Sequence, residues 1–457
     1  MENMIERTTG KQPIWREIER FRNATHNWMT VKTVCVVSGL SGCGKTALLL
    51  NYFKGKNRKI FYFSFAGLEE NAALKLLERR ISFLTGETVS GWDEAFKTIA
   101  KRYKHVIFDD VAALSTYKEF HKSFYDNMIT NIYSRPFVMF LTQPNEIIKG
   151  LADNYASFQV DYFSVPDMIK RFPKLSKVDK LGISALSGGI PKIFSEYDTE
   201  ISFEENARRF LRPDSAFCGF MPELLSKYFR RPENYHAILH ALANGKQRVG
   251  EIGKFTGFAY NKCDTYLSAL VDYGFVSTEK EKMKSGALKN IYHLTNNYFK
   301  LWYLYIYENQ AALRTGDKKL TDSIVKSIIK KEVHAFHIEK AFAFVNDKLR
   351  WKLWAGFRIS EKAKHEPKIV RKGAFSYSFD AIIRKDEKVV FVKVFKDAEN
   401  TCRPSELMRL QKAVELVNKY YDSHVFIFSK RRFCDEATHE SSRDYCMTLV
   451  EVDRLKF

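Results

Sequence analysis

The sequence lacks the long apolar run that a membrane-spanning helix requires. None of its 457 residues lies in a stretch near the roughly 20 apolar residues of such a span. The amino-terminal segment also has no apolar core typical of a secretory signal. The seven cysteines are scattered, without a C-x-x-C pair, which argues against a disulfide framework and a structural zinc site. These absences predict a cytoplasmic protein with no membrane partner.

Acidic residues are fewer than basic ones. The chain has 74 Lys and Arg against 54 Asp and Glu, a formal net charge of +20. Such an excess favours a polyanionic partner, with nucleic acid ahead of an anionic membrane, although it also serves general solubility. Apolar (45%) and charged (28%) residues occur in the proportions of an ordinary globular protein. The length suggests about three domains.

The segment 39–46 matches the phosphate-binding loop pattern G-x-x-x-x-G-K-[ST]. It consists of Gly39, Leu40, Ser41, Gly42, Cys43, Gly44, Lys45 and Thr46. The glycines let the backbone curl round phosphate, and the N–H groups form an anion nest. Lys45 can reach the β- and γ-phosphates, and Thr46 offers Mg²⁺ a hydroxyl at a helix N-terminus. A strand before the loop and a helix after it favour ATP binding over a chance glycine-rich turn.

Two carboxylates follow an apolar strand that begins at His105. Because the carboxyl ends of parallel strands form the ligand-binding edge of a sheet, Asp109 is predicted to hold Mg²⁺. Asp110 is predicted to orient or activate the attacking water, as a catalytic residue beside Lys45. The alternative is a plain strand-end turn, where Asp is common.

Three more strands complete the predicted core. One lies at residues 59–65, one at 136–141, and a fifth within 157–165. The strand at 136–141 ends in Thr142 and Gln143, which either sense the γ-phosphate or are simply exposed. Residues 168–197 then predict a small helical lid. It contains Gly188, Gly189, Ile190 and Pro191, which locally indicate a helix C-cap followed by a proline stop.

Residues 234–294 predict three helices and a β-hairpin, the arrangement of a winged helix-turn-helix. Candidate phosphate contacts are Lys262 in the third helix and, around a basic loop, Lys280, Lys282, Lys284 and Lys289. The third helix also carries Asp264 and has no Arg, so it is poorly equipped to read bases. Packing or nonspecific DNA contact is favoured over sequence-specific binding. The aromatic segment 298–305 predicts a core seam between domains, without a ligand.

From about residue 330 the pattern is mixed α/β. It predicts helices at 334–342 and 405–420 and strands at 377–383, 388–394 and 425–428. This order resembles the PD-(D/E)XK nuclease fold, in which an acid and an E-x-K dyad hold a divalent metal. Asp380 and Lys393 take two of these positions, and Glu339 could add a carboxylate. Phe391 takes the place of the dyad's acid and cannot ligate Mg²⁺, so the resemblance implies a retained fold without nuclease activity.

Basic residues at the start of this region would suit a DNA backbone. They are Lys362, Lys364, Lys368, Arg371 and Lys372.

The motifs in this order resemble the MNS-type, or DEXX-box, ATPases of archaea and bacteria, in the STAND and AAA-like branch of P-loop proteins. The resemblance covers nearly the whole chain. It implies an α/β fold with a parallel AAA-like sheet, a helical lid, a winged helix and a restriction-endonuclease-like domain. The corresponding domains are 1–166, 167–230, 231–310 and 311–457. The resemblance also implies that Gly189 and Pro191 seat the adenine and ribose side of the nucleotide.

These features predict a Mg²⁺-dependent ATPase whose nucleotide state controls a region that binds double-stranded DNA or protein. The sequence leaves open whether the protein forms a homo-oligomer. The resemblance implies Glu where this chain has Asp110, and the shorter side chain predicts slow or partner-dependent hydrolysis. One alternative is an ATP-dependent switch or scaffold with little turnover. Another is an ATP-dependent DNA-processing nuclease, against which Phe391 counts.

Overall fold

The structure is a computed structural model of the chain. It describes residues 20–21, 33–54, 59–111, 119–129, 138–142, 155–282, 286, 288–351, 368–385, 388–395, 404–417, 422–429, 433 and 447–451. The chain divides into two compact units. Unit 1 comprises Met1–Phe163 with Ile190–Ser195, and unit 2 comprises Ser164–Gly189 with Glu196–Phe457. The finer division into four domains stays a prediction.

Unit 1 contains a parallel sheet, which confirms the predicted α/β class. Within the described residues its strands are β1 (Thr33–Ser38), β2 (Ile60–Ser64), β3 (His105–Asp109), β4 (Val138–Thr142) and β5 (Tyr155–Gln159). Their spatial order is β2-β3-β4-β1-β5. This order places β1, which leads into the phosphate-binding loop, beside β4 and places β3 on the other side of β4. The carboxyl ends of all these strands therefore meet at one edge.

Helices cover the sheet because both of its faces are apolar. They are α1 (Lys45–Phe53), α2 (Glu70–Thr85), α3 (Gly91–Arg102) and α4 (Phe120–Phe124), which continues into a π-helical turn at Tyr125–Ile129. One core cluster joins Phe61 and Phe108 to Leu77 and Phe96. The other cluster contains Leu48, Leu49, Ile107, Phe140 and Phe158. Burial on both sides explains the nearly continuous apolar runs of the strands.

The fifth strand is displaced from its predicted position. It occupies Tyr155–Gln159, so it shares only residues 157–159 with the predicted range 157–165. Residues 164 and 165 of the predicted strand instead begin α5 (Val165–Arg171), where Ser164 and Asp167 form a capping box. Pro136, Phe137 and Gln143 of the fourth predicted strand and its end lie outside the described residues.

Unit 2 begins with helices. They are α5, α6 (Lys177–Ser187), α7 (Phe203–Phe210), α8 (Ala216–Tyr228), α9 (Pro232–Ala243), α10 (Val249–Thr256) and α11 (Tyr260–Asp272). Next comes an antiparallel hairpin of β6 (Val276–Lys282) and β7 (Leu288–Leu294). The two ends of the predicted basic loop 280–289 belong to the strands, since Lys280, Lys282 and Lys289 lie within the paired residues. Lys284 lies outside the described residues.

The aromatic segment forms α12 (Asn297–Leu301) and a π-helical turn at Trp302–Ile306. It packs inside unit 2: the Tyr298 hydroxyl donates to the Phe217 carbonyl oxygen (2.7 Å), and Trp302 Nε1 donates to the Cys218 carbonyl oxygen (2.9 Å). A 3₁₀ turn (Tyr307–Asn309), α13 (Gln310–Arg314), α14 (Lys318–Ser327), a π-helical turn (Ile328–Val333) and α15 (His334–Trp351) follow.

The carboxy-terminal part of unit 2 holds two sheets in the residues described. A hairpin of β8 (Lys368–Lys372) and β9 (Phe375–Phe379) is separate from the sheet β10-β11-β12-β13. The latter is built from β10 (Ala381–Lys385), β11 (Lys388–Val394), β12 (Asp422–Ser429) and β13 (Met447–Glu451). Helix α16 (Pro404–Val417) and β9 contribute to its core cluster, which includes Leu407, Leu410 and Phe379.

The single strand predicted at 377–383 is wrong. The strand is interrupted at Asp380, which separates β9 from β10, and these two strands belong to different sheets. At the break the Asp380 amide donates to the Val392 carbonyl oxygen (2.9 Å), and its carboxylate accepts from the Val394 amide (2.6 Å). Asp380 therefore joins the two sheets through β11. None of the helices in the described ranges has the length and apolarity of a membrane span.

Candidate functional site

The phosphate-binding loop connects β1 to α1 in unit 1. Gly39, Gly42 and Gly44 have φ angles of 139°, 82° and 97°, which L side chains rarely adopt. Gly39 also has no space for a side chain, since a Cβ there would lie 2.2 Å from the Val160 carbonyl oxygen. The glycine pattern found in the sequence therefore reflects both backbone conformation and close packing.

Replacing Gly39 with alanine is expected to lower the free energy of unfolding by about 1–3 kcal/mol, because the new methyl group overpacks the loop. Gly67→Ala is the matched control, since Gly67 also has a positive φ (69°) but a Cβ added there would have no atom within 4 Å. Chemical denaturation of both variants measures the difference. Equal destabilisation by the two substitutions would show that the contact with Val160 is unimportant.

Lys45 is the first residue of α1, and the residue is only 6% exposed. Its Nζ donates to the carbonyl oxygens of Gly39 (2.9 Å) and Leu40 (3.0 Å). Burial lowers the pKa of Lys45, while the neighbouring Cys43, Asp109 and Asp110 act in the opposite direction. The ammonium group is thus held inside the loop, where a phosphate group would contact it. Burial raises the pKa of Cys43, which keeps this thiol protonated.

The carboxylate of Asp109 lies at the end of β3 and is 8% exposed. Its Oδ2 accepts hydrogen bonds from the hydroxyls of Thr46 (2.6 Å) and Tyr62 (2.9 Å), and its Oδ1 accepts from Thr142. The structure thus brings together Thr46 and Asp109, the two residues predicted to hold Mg²⁺. They belong to different elements, 63 positions apart in the sequence.

Asp110 follows the strand in a left-handed conformation, with a φ of 56°. Among the described residues it is the one non-glycine with a positive φ. Its amide donates to Thr142 Oγ1 (2.8 Å). Thr142 is fully buried, so it is not a solvent-exposed residue at the strand end. Its hydroxyl bonds both members of the acidic pair, and this contact fixes Asp110 in a conformation that Asp tolerates better than most residues.

Two further segments of unit 1 lie beside the loop. A Cβ on Gly44 would be 4.0 Å from Cγ of Pro191, which begins a short helix at Pro191–Phe194. The Tyr162 hydroxyl donates to the Ser41 carbonyl oxygen (3.1 Å). Pro191 is therefore a neighbour of the loop, as a nucleotide-seating residue should be. Gly189 belongs to unit 2, where it follows the helix-ending Gly188, and its role stays a prediction.

The residues present fit both ATP and Mg²⁺. Gly39 forms a cradle that a Cβ would fill, and Lys45 supplies a cation inside it. Thr46 and Asp109 offer hydroxyl and carboxylate oxygens, the hard donors that Mg²⁺ prefers. In the described ranges no group of three or more His, Cys, Asp or Glu forms a metal cluster.

No sequence motif identifies Tyr62 and Tyr162 as residues that contact the site. Tyr62 sits within an apolar strand, and Tyr162 follows β5, so each resembles an ordinary core residue. Their hydroxyls reach Asp109 and Ser41 only because of the strand order. The one available signal was the polar tip of each tyrosine, which usually finds a partner when the ring is buried.

Among the described residues, the positions predicted to be nuclease-like are not part of any group of three or more His, Cys, Asp or Glu that could hold a metal ion. Phe391 is fully buried and contacts the Phe379 ring at 5.0 Å between centroids. Lys393 Nζ donates to the Ser378 carbonyl oxygen (2.6 Å), and Glu339 pairs with Lys340 (3.1 Å). The absence of nuclease activity stays a prediction. Lys362 and Lys364 lie outside the described residues.

The predicted DNA-contacting lysines occupy different environments. Lys262 Nζ lies 3.9 Å from the centroid of the Phe258 ring, so its charge is partly engaged within unit 2. Lys280, Lys282 and Lys289 are exposed on the hairpin. The hairpin lysines are therefore better placed than Lys262 to meet a polyanion.

No family model matches the sequence. A curated relative is the uncharacterized protein MJECL04 of Methanocaldococcus jannaschii, 27% identical over 151 residues, which are 32% of this chain and 33% of that protein. The match thus spans about a third of the relative's length.

Solved structures to which this chain is similar include the ORC1 protein of Aeropyrum pernix in complex with DNA (13% identity, 65% of this chain, 93% of that chain, TM-score 0.30). Another is a STAND protein with a tetratricopeptide repeat sensor from Pyrococcus horikoshii (12% identity, 73% and 50% of the chains, TM-score 0.25). A third is AMPPCP-bound DnaA from Aquifex aeolicus (12% identity, 56% and 86%, TM-score 0.27). These TM-scores are low, so the similarities do not assign a function.

Proposed function

We propose that this chain binds ATP with Mg²⁺ at residues 39–46 and hydrolyses it slowly. One observation carries the proposal: Thr46 Oγ1 lies 2.6 Å from Asp109 Oδ2, directly after a loop that holds the buried Lys45 ammonium. The pairing joins the loop to the acidic strand at the carboxyl edge of the sheet, where ligands bind in open α/β folds.

Each residue has a distinct task in this proposal. The loop amides and Lys45 stabilise negative charge on the phosphates, while Thr46 and Asp109 hold the metal. Bound Mg²⁺ would neutralise charge on the phosphoryl oxygens. Asp110 orients the water. The Thr142 hydroxyl bonds the backbone amide of Asp110 and the carboxylate of Asp109. Pro191, with Gly189 before it in the chain, contacts the nucleoside side.

Steady-state ATPase turnover, with and without duplex DNA, tests the proposal. Multiple turnovers that require Mg²⁺ and disappear in Lys45→Ala support an ATPase. Stimulation by DNA would support coupling between nucleotide and the basic region. Tight ATP binding with no more than a single turnover would favour the alternative function, an ATP-dependent switch with little turnover. The observation that supports this alternative is Asp110, whose side chain is short and whose backbone is conformationally constrained. Failure of the wild-type protein to bind ATP would overturn both versions.

We propose that the hairpin of unit 2 contacts the DNA backbone. Cross-strand pairs share a face, so the register Lys280↔Asn290 and Lys282↔Leu288 places both lysines on one face. Glu279 and Glu281 lie on the other face, where Glu281 pairs with Arg248 (2.6 Å). The two faces therefore differ in charge, and the lysine face suits phosphate groups.

Replacing Lys280 and Lys282 together with alanine is expected to weaken DNA binding and to reduce the slope of log K against log salt by about 2. Lys289→Ala is the control, since Lys289 pairs with Glu281 on the opposite face. Fluorescence anisotropy with a duplex at several salt concentrations measures the slope. An affinity that does not depend on salt would contradict phosphate contact.

A further inference from the structure

The Asp109 carboxylate is positioned by a third element besides the loop and β4. Thr46 and Thr142 bond it from α1 and β4, and the Tyr62 hydroxyl bonds its Oδ2 at 2.9 Å from β2. Tyr62 is 47 residues away in the sequence and belongs to none of the motifs found there. Its contact joins the strand next to β3 directly to the predicted metal ligand.

The sheet register explains how Tyr62 reaches Asp109. Tyr62 is opposite Ile107, and Ser64 is opposite Asp109. Since alternate residues of a strand share a face, Tyr62, Ile107 and Asp109 lie on the same face. The Tyr62 ring packs against the core cluster that contains Ile107 and Leu48 of α1. The ring is therefore fixed by packing, and only its hydroxyl extends along the sheet to the carboxylate.

We propose that Tyr62 is a positioning residue that holds Asp109 in the orientation needed to bind Mg²⁺. This inference rests on the proposed Mg²⁺-ATP site. Tyr62 donates to the same oxygen as Thr46, so the two hydroxyls together restrict rotation of the carboxylate. Groups that orient a metal ligand in this way typically contribute 10- to 100-fold to metal affinity or activity. Tyr62 contacts the ligand rather than the substrate and is not a catalytic residue.

The test uses Tyr62→Phe, which keeps the packed ring and removes the donor. Mn²⁺ serves as the probe, and its binding to the full chain with saturating ATP is measured by electron paramagnetic resonance. We expect Mn²⁺ affinity to fall about 10- to 100-fold, while ATP binding in EDTA stays within about twofold of wild type. Tyr103→Phe is the control, since Tyr103 is a tyrosine of unit 1 that is buried against Phe61, away from the bonds to Asp109.

A double-mutant cycle separates positioning from general destabilisation. If Tyr62 acts through Asp109, Tyr62→Phe has little further effect on Mn²⁺ affinity in an Asp109→Asn background. Additive losses would overturn the inference, as would wild-type Mn²⁺ affinity in Tyr62→Phe. Either result leaves the proposed ATP site intact if Lys45→Ala still weakens ATP binding. If wild-type protein binds no ATP, the proposed function itself fails.

Discussion

Replacing Asp110 with asparagine is expected to lower kcat for ATP hydrolysis by about 10²- to 10⁴-fold, the usual contribution of a general base. ATP affinity should stay close to that of wild type, because Asp110 is not among the residues that form the loop. Asparagine tolerates the left-handed conformation seen at this position (φ 56°). The substitution therefore removes the charge and leaves the backbone in place. Single-turnover kinetics with excess protein measures the rate.

Asp110→Gly is the companion variant, and it separates the chemical role from the backbone. Glycine adopts a positive φ without steric cost, so the free energy of unfolding should rise by about 1 kcal/mol while turnover falls as in Asp110→Asn. Denaturation and kinetics on the same preparations give both quantities. Wild-type turnover in either variant would show that Asp110 does not handle the attacking water.

The left-handed backbone also gives a physical reason for Asp at this position. Asp and Asn tolerate a positive φ better than longer side chains, because their short polar groups bond locally. The family resemblance implies Glu here. In this chain the backbone at the end of β3 favours the shorter acid, and slow hydrolysis stays a prediction.

Replacing Lys45 with alanine is expected to weaken ATP binding by about 10- to 100-fold and to abolish turnover. Hydrogen bonds to charged groups contribute about 1.5–3 kcal/mol, and about 1.4 kcal/mol corresponds to a tenfold change in affinity. Lys45 is buried, and its Nζ contacts only loop atoms in the hydrogen bonds found for it: Gly39, Leu40 and Cys43. An anion in the loop would therefore take over these bonds.

Lys54→Ala is the control for Lys45→Ala. Lys54 is exposed and caps the other end of α1, so its loss removes one positive charge from the same helix without touching the loop. Isothermal titration with ATP compares the variants, and thermal unfolding checks that both fold. A similar loss of affinity in Lys54→Ala would indicate a general charge effect rather than a phosphate contact.

The local parts of the site could be predicted well from the sequence. The loop glycines, Lys45 and the acidic pair follow short patterns whose physical meaning is fixed within about ten residues of chain, and the structure places Thr46 against Asp109. The α/β class followed from the alternation of apolar strands and helices. The patterns themselves needed no knowledge of which strands are neighbours, and the roles of these residues stay predictions.

The parts that depend on pairing could not be predicted. Tyr62 reaches Asp109 because β2 and β3 are adjacent and in a given register, which no local pattern encodes. The break at Asp380 depends on hydrogen bonds to Val392 and Val394 of β11, further along the chain. The hairpin strands extend into the basic segment because its lysines pair with residues of β7. In each case a contact distant in sequence decides the structure.

The most direct measurement is an equilibrium titration of ATP into the wild-type chain and Lys45→Ala, each with Mg²⁺ and with EDTA. We predict saturable binding of one ATP per chain by the wild-type protein, tighter with Mg²⁺, and a loss of at least about tenfold in the variant. Absence of saturable binding by the folded wild-type chain, or equal affinities for the two proteins, would contradict the proposed ATP site.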